Sequence, residues 1–121
     1  RDASGIFQHI GETIAERNKL NNTIRVAAAF DFDDIELVTF FGNLRAEDAL
    51  CVRSLAQKIK PANFLKRLNK RKNKIHYLVW DEKNWSMDSL GRLRLLKKEK
   101  VVEIKEWQDD RLGKFVLFQI N

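Results

Sequence analysis

Four apolar residues near the start of the chain are spaced like one face of a helix: Ile6, Phe7, Ile10 and Ile14. This spacing predicts a helix over residues 5–19. Residues 23–30 are rich in apolar and β-branched side chains, which predicts a strand. We expect the acidic residues 31–34 to form a turn. The unbroken apolar run of residues 35–41 then predicts a second strand that is buried on both faces.

Two helices separated by Pro61 are predicted for the middle of the chain. Residues 45–59 carry one apolar stripe, typical of an amphipathic helix, at Val52, Leu55, Ala56 and Ile59. Cys51 is expected on this helix as a small buried side chain. Pro61 ends the helix, because the residue before a proline is pushed out of the α region. Residues 62–72 predict a second helix, which packs through Phe64, Leu65 and Leu68.

The remaining third alternates between strand and helix patterns. Residues 75–80 predict a strand, and Ser86 is a suitable cap for a helix with a core face at Met87, Leu90, Leu93 and Leu96. Residues 101–107 and 114–120 predict two strands joined by a polar turn, which is typical of an antiparallel hairpin. The whole pattern predicts one small α/β domain over residues 1–121. It would have an N-terminal helix, a mixed and mostly parallel sheet with crossover helices, and a C-terminal antiparallel hairpin.

Length and composition narrow the class of protein. The chain has 121 residues, the size of one ordinary domain, and its first residue is Arg1 rather than Met, so we expect a fragment of a longer protein. The single cysteine excludes an internal disulfide and fits a reducing, intracellular setting. No apolar run reaches the roughly 18 residues that a membrane-spanning helix needs, and we expect no membrane partner. No cofactor-binding motif stands out, so no cofactor is expected.

Positive charge is concentrated in the middle of the sequence. Residues 53–100 contain 15 basic residues (Lys or Arg) and 4 acidic residues (Asp or Glu). Residues 1–52 contain 5 basic and 9 acidic residues, and residues 101–121 contain 3 basic and 4 acidic residues. The net charge of +6 therefore understates how basic the middle is. If the two basic helices cover one face of the sheet, their side chains would form a surface suited to phosphates. The residues predicted to bind nucleic acid are Lys66, Arg67, Lys70, Arg71, Lys72, Lys74, Arg92, Arg94, Lys97 and Lys98.

Aromatic residues beside the basic stretch add a second element to this hypothesis. Tyr77, Trp80 and Trp85 are candidates for stacking on single-stranded bases, and Trp85 is the preferred one because it falls in a predicted loop. A winged-helix interpretation instead treats the chain from Leu93 onward as a recognition helix and wing. In that case Lys105, Arg111 and Lys114 would contact phosphates.

Acidic residues provide a catalytic alternative. Clustered carboxylates such as those of residues 31–36 can hold Mg²⁺ or Ca²⁺, but their spacing does not match the glycine-containing calcium loop, so we assign no metal ligands. Glu103-Ile104-Lys105 looks like the Glu-x-Lys arrangement of metal-dependent restriction-type nucleases. That resemblance implies a carboxylate that holds the metal and a lysine that orients water, aided by Asp33 or Asp34. The order of the elements departs from that family.

A second resemblance covers about residues 35–121. The predicted order of strand, helix, strand, helix, strand and strand is similar to half of a phospholipase-D-like protein, with Leu112 to Gln119 at the place of its His-x-Lys-x4-Asp motif. Lys114 stands at the lysine of the motif, whereas Leu112 and Gln119 replace the histidine and the aspartate. The resemblance therefore implies a fold without that chemistry, and we assign no family from it.

The sequence favours a domain that binds nucleic acid, either DNA or RNA, rather than an enzyme. Two alternatives remain open. One is a small metal-dependent nuclease or toxin-like domain with Glu103 and Lys105 at its site. The other is a protein-interaction module whose basic face meets an acidic partner, and other domains of a parent protein are further expected partners.

Overall fold

A computed structural model of the chain describes residues 4–18, 23–57, 63, 66, 74–86 and 88–121; nothing is described for the side chains of Ser4 and Leu55. The helices in these ranges are α1 Ser4–Arg17, α2 Phe32–Gly42, α3 Arg53–Ala56 and α4 Ser89–Arg94, with a short 3-10 helix at Ala46–Asp48. The strands are β1 Val26–Ala28, β2 Ala49–Cys51, β3 Tyr77–Asp81, β4 Val101–Asp109 and β5 Gly113–Ile120.

These five strands form one mixed sheet in the order β2-β1-β3-β5-β4. Strand β1 pairs in parallel with β2 on one side and with β3 on the other. Strand β5 is antiparallel to both β3 and β4. The predicted α/β domain, with parallel strands, crossover helices and a C-terminal hairpin, is therefore confirmed.

Helices cover both faces of the sheet, and each face has its own apolar cluster. The cluster on one face joins α1 and α2 to the sheet through residues such as Phe7, Ile10 and Val38. The opposite cluster contains Ala56 of α3 and Leu93 of α4. Because side chains alternate along a strand, β1 serves both clusters, with Val26 and Ala28 on the first and Ala27 on the second.

The predicted second strand is wrong, because residues 35–41 belong to α2. Their buried positions follow a helical period, at Ile35, Val38, Thr39 and Gly42. Phe40 is 77% exposed, although the unbroken apolar run predicted burial of both faces. The acidic residues 31–34 form the start of this helix and not a strand-to-strand turn, since the backbone N–H of Ile35 donates to the carbonyl oxygen of Asp31. The order assumed for the phospholipase-D resemblance therefore begins with a helix.

The predicted helix over residues 45–59 is also wrong in its first half. Residues 49–51 form β2, whose three residues lie beside the three residues of β1. Cys51 ends this strand and is exposed instead of buried on a helix. Val52 and Ala56 are buried as the apolar stripe predicted, but the helix around them spans only Arg53–Ala56 in the described range.

The later elements agree better with the sequence. The predicted strand at residues 75–80 corresponds to β3, and the helix after Ser86 corresponds to the shorter α4. The hairpin of β4 and β5 is confirmed. This hairpin is not the projecting wing of a winged-helix domain, however, because β5 lies inside the sheet and also pairs with β3. The predicted helix at residues 62–72 lies outside the described residues, except that Asn63 and Lys66 both have helical backbone.

Two glycines allow α1 and α2 to pack closely. A Cβ placed on Gly11 would lie 2.7 Å from the carbonyl oxygen of Val38 and 2.9 Å from the Cβ of Phe41. A Cβ on Gly42 would lie 3.3 Å from the carbonyl oxygen of Gly11. The distance between the two helices therefore depends on the absence of a side chain at Gly11.

We expect Gly11→Ala to lower the free energy of unfolding by about 1–3 kcal/mol, because the added methyl group forces backbone atoms apart. Chemical denaturation measures this change. Gly5→Ala in the same helix is the control, since nothing lies within 4 Å of its Cβ position. It should leave stability unchanged or slightly higher, as alanine favours helix. Equal effects of the two substitutions would contradict the close approach.

Candidate functional site

A cleft of about 390 Å³ opens at the carboxyl ends of the parallel strands. Asp31 follows β1, Arg53 follows β2, and Asp81 is the last residue of β3. The carboxyl ends of parallel strands meet at one edge of a sheet, which is where open α/β proteins commonly bind ligands. Apolar residues and further polar residues complete the lining, at Phe7, Phe30, Asp34, Lys83, Asn84, Leu112 and Phe115.

Asp81 is the most unusual residue in this cleft because its carboxyl group is only 1% exposed. Within β3 it follows Tyr77 and Val79 on the core-facing side of the strand, where an apolar residue would normally stand. Its Oδ2 accepts hydrogen bonds from the backbone N–H and the side-chain Nδ2 of Asn84, at 3.1 and 2.6 Å. Its Oδ1 is buried and has no hydrogen-bond partner among the described residues.

Burial also changes how readily Asp81 ionises. Loss of hydration raises the pKa of this carboxyl group from 3.8 to about 6, although hydrogen bonds from Asn84 and from the backbone of Lys83, and the charge of Arg53, act in the opposite direction. A charged group that is removed from water and only partly compensated destabilises the folded state. Active and binding sites often contain such groups.

Arg53 is held in place at the entrance of the cleft by two acceptors. Its Nε donates to the carbonyl oxygen of Ala29 at 3.0 Å, and its Nη2 pairs with Asp31 at 2.5 Å. It is close enough to Asp81 to influence the pKa of that carboxyl group, but it forms its ion pair with Asp31. The guanidinium and the Asp81 carboxyl are therefore fixed separately on two walls of the same cleft.

Asp34 adds a further carboxyl group to the lining. Its pKa is raised, first by burial and then by repulsion from Asp31 and Asp33. The charged lining residues are Asp31, Asp34, Arg53, Asp81 and Lys83, which together carry one net negative charge when all are ionised. The interior of the cleft thus favours a positive group, while Lys83 is exposed.

Among the described residues, the basic side chains predicted to bind nucleic acid fall into two groups: those with a carboxylate partner and those without one. Arg92 lies in α4 and pairs with Asp88 at 2.8 Å. Arg94 pairs with Glu103 at 2.7 Å and with Glu106 at 2.8 Å, which ties α4 to β4. Both arginines already have carboxylate partners.

The lysines are placed differently. Lys97 and Lys98 are exposed, in the turn between α4 and β4 rather than on the helix as predicted. Lys66 and Lys74 are exposed as well. In the ranges that the structure describes, none of these four has an acidic partner. Four other predicted residues lie outside those ranges, namely Arg67, Lys70, Arg71 and Lys72.

The structure does not bring the parts of the nuclease alternative together. Glu103 is paired with Arg94 and lines a separate cleft with Leu93 and Val102, whereas Asp34 lines the cleft at the carboxyl edge. Lys105 lies over the ring of Trp107, 5.4 Å from its centroid.

The aromatic stacking hypothesis is contradicted. Tyr77, Trp80 and Trp85 are all buried, with 3–4% of their surfaces exposed. Trp80 donates from its ring nitrogen to Ser89 at 2.7 Å, which fixes it against α4. These residues belong to the core because β3 is an interior strand with apolar layers on both faces.

Sequence reasoning did not identify the cleft. The sequence does contain a feature that points to the cleft, because Asp31 and Asp81 each follow an apolar run of the kind found in buried strands. Recognising it required the knowledge that β1 and β3 are parallel neighbours, so that both aspartates reach the same edge. The mistaken strand at residues 35–41 hid this relation, because it placed an antiparallel turn at Asp31.

No protein-family model, curated protein sequence or solved structure gives a significant match to this chain. In the described ranges, none of the helices has the length and apolar character needed to cross a bilayer. Within the same residues, no three His, Cys, Asp or Glu side chains are placed to hold a metal ion.

The raised pKa of Asp81 predicts how stability varies with pH. The folded protein binds a proton at this group more tightly than the unfolded chain, so its contribution to stability falls as pH rises from about 4 to about 6 and is constant above that. A shift of this size corresponds to about 3 kcal/mol. We expect Asp81→Asn to raise the free energy of unfolding by about 1–3 kcal/mol at about pH 7.5, with little or no gain at about pH 4.

Denaturation of both proteins at the two pH values measures this difference. Asp33→Asn is the matched control, because it removes the same charge from an exposed side chain outside the cleft. Its effect should be within about 0.5 kcal/mol of zero. A gain in stability from Asp81→Asn that is as large at about pH 4 as at about pH 7.5 would contradict the prediction.

Proposed function

We propose that this protein binds nucleic acid through the phosphate backbone, using the basic segment, defined as residues 58–74, together with Lys97 and Lys98. The observation that carries the proposal is an unbroken run of one charge sign. Between Asp48 and Asp81 the chain contains nine Lys or Arg residues and no acidic residue. Neutralised phosphates release condensed counterions, which makes such a run a strong source of affinity at low salt.

The packing of the neighbouring helices supports this proposal. Ala56 of α3, which precedes the basic segment, and Leu93 of α4, which precedes Lys97, belong to the same apolar cluster. The helix before the segment and the helix before the exposed lysines thus cover one face of the sheet. The predicted shared surface concerns the helix at residues 62–72, which lies outside the described residues, so α3 supports it only as the neighbour of the basic segment in the sequence.

The end of the basic segment lies in positive surroundings. Lys74 lines a cleft of about 360 Å³ with Arg17 and His76, at the edge opposite to the carboxyl ends of the parallel strands. The pKa of His76 is lowered, first by burial and then by the charges of Lys74 and Arg25. A positive potential at this edge would attract phosphate groups.

The ion pairs of α4 refine the set of residues involved. Arg92 and Arg94 are occupied by carboxylates, so their contribution to phosphate binding would require these pairs to break. The proposal therefore assigns the main electrostatic role to the lysines and to the basic segment, and a structural role to the two arginines.

A salt titration of binding to labelled duplex DNA and to single-stranded RNA tests the proposal. We expect affinity to fall steeply with salt, and the triple variant Lys70→Gln, Arg71→Gln and Lys72→Gln to reduce the slope of log affinity against log salt by about 2–3 for duplex DNA. Arg92→Gln is the control for charge removal, and it should change the slope by less than about 0.5.

Absence of binding at low salt, or affinity that does not depend on salt, would refute the proposal. Unfolding of the triple variant, measured by circular dichroism, would show that the basic segment has a structural role instead. Cleavage of the nucleic acid in the presence of Mg²⁺ would favour the nuclease alternative. Capture of an acidic protein that persists after nuclease treatment, without any nucleic-acid binding, would favour the interaction module.

A further inference from the structure

The cleft at the carboxyl edge of the sheet has an unfilled hydrogen-bonding requirement. Asp81 is 1% exposed, lines the cleft, and has no partner for Oδ1 among the described residues. Its other oxygen is held by Asn84, so the carboxyl group cannot turn freely to find another donor. A buried acceptor without a donor destabilises the folded protein, so a ligand that supplies the donor gains affinity from this contact.

The charges around the cleft favour a cationic donor over a neutral one. A neutral hydroxyl group would satisfy Oδ1 but would add no charge to the partial compensation that Arg53 and Asn84 provide. Arg53 cannot complete this compensation directly, because it is bound to Asp31 and to the carbonyl oxygen of Ala29. Asp34 brings a second carboxyl group with raised pKa to the same cleft.

The apolar part of the lining suits an organic rather than a metallic cation. Three phenylalanine rings pack against each other beneath the cleft, with centroid distances of 4.9, 5.5 and 6.1 Å between Phe7, Phe30 and Phe115. These residues are only 1–3% exposed, so they form a closed apolar wall against which a ligand can bury apolar atoms. The described residues lack three metal-ligating side chains in suitable positions, whereas an ammonium group requires only hydrogen-bond acceptors.

We propose that this cleft binds a small organic ammonium ion, whose N–H groups donate to Asp81 and Asp34 and whose apolar part lies against the phenylalanine rings. Lys83 lines the cleft from an exposed position, so its charge is hydrated and opposes the ligand only weakly. This binding function is separate from the proposed contact with nucleic acid, which involves the opposite edge of the sheet and the basic segment.

Titration with benzylammonium, followed by protein NMR, tests the proposal. The side-chain amide of Asn84 is the local reporter, because it is hydrogen bonded to Asp81. We expect saturable shifts of this resonance at about pH 7.5, and about tenfold weaker affinity at about pH 5, where Asp81 is mostly protonated. Benzyl alcohol, a neutral ligand of the same shape, should not produce saturable shifts.

Two variants separate the site from general charge effects. Asp81→Asn should reduce the affinity for benzylammonium at least about tenfold, the cost of losing one charged hydrogen bond. Asp33→Asn removes an equal charge outside the cleft and should leave affinity within about twofold, because exposed charges are well screened. Circular dichroism confirms that both variants are folded.

Several results would overturn this inference. They are the absence of saturable shifts, equal binding of benzyl alcohol, and equal weakening by the two substitutions. Mg²⁺ is a further probe. If Mg²⁺ alone shifts the Asn84 resonance with saturation, and Asp81→Asn abolishes the effect, the cleft is a metal site rather than an ammonium site.

Discussion

The parallel pairing of β1 with both of its neighbours is the constraint on which the rest of the structure depends. Only three residues of β1 pair in this way, yet they align Ala28 with Cys51 of β2 and with Val79 of β3. Parallel pairing requires crossover connections, which place helices on both faces. It also brings Asp31, Arg53 and Asp81 to one edge, so the cleft is a direct consequence of the strand order.

The same arrangement explains why Asp81 destabilises the folded protein and why its position indicates a functional site. Strand β3 is interior and its side chains are covered on both faces, so a carboxyl group at its end enters a place where an apolar side chain would be more stable. Its partner across the strands is Phe115, which offers no hydrogen-bond donor from its side chain. Proteins keep such groups mainly where binding or catalysis uses them.

The sequence predicted correctly those elements that have a long hydrophobic pattern and a partner nearby in the chain. It failed for elements that are determined by contacts with residues far away in the sequence. The hairpin of β4 and β5 has long strands and a nearby partner, and it was predicted correctly. Strand β2 has three residues, too few to show an alternating pattern, and it exists because β1 pairs with it. In α2 the exposed Phe40 made a one-sided helix resemble a strand buried on both faces.

The charge pattern was evident from the sequence, but its meaning depended on ion pairs that only the structure provides. Arginine forms forked contacts with carboxylates, and Arg94 uses two nitrogens to bind Glu103. A count of basic residues therefore overstates the charge that α4 offers to a partner.

The acids that bracket the basic segment in sequence are both buried. Asp48 is buried and pairs with Arg45 at 2.8 Å and with Arg25 at 3.7 Å. Asp81 is buried at the carboxyl edge. Arg53 pairs with Asp31, and the eight Lys or Arg residues of the basic segment leave their charge to solvent ions, to more distant acids or to an anionic partner. The run without acids thus carries more weight for function than the net charge of the chain.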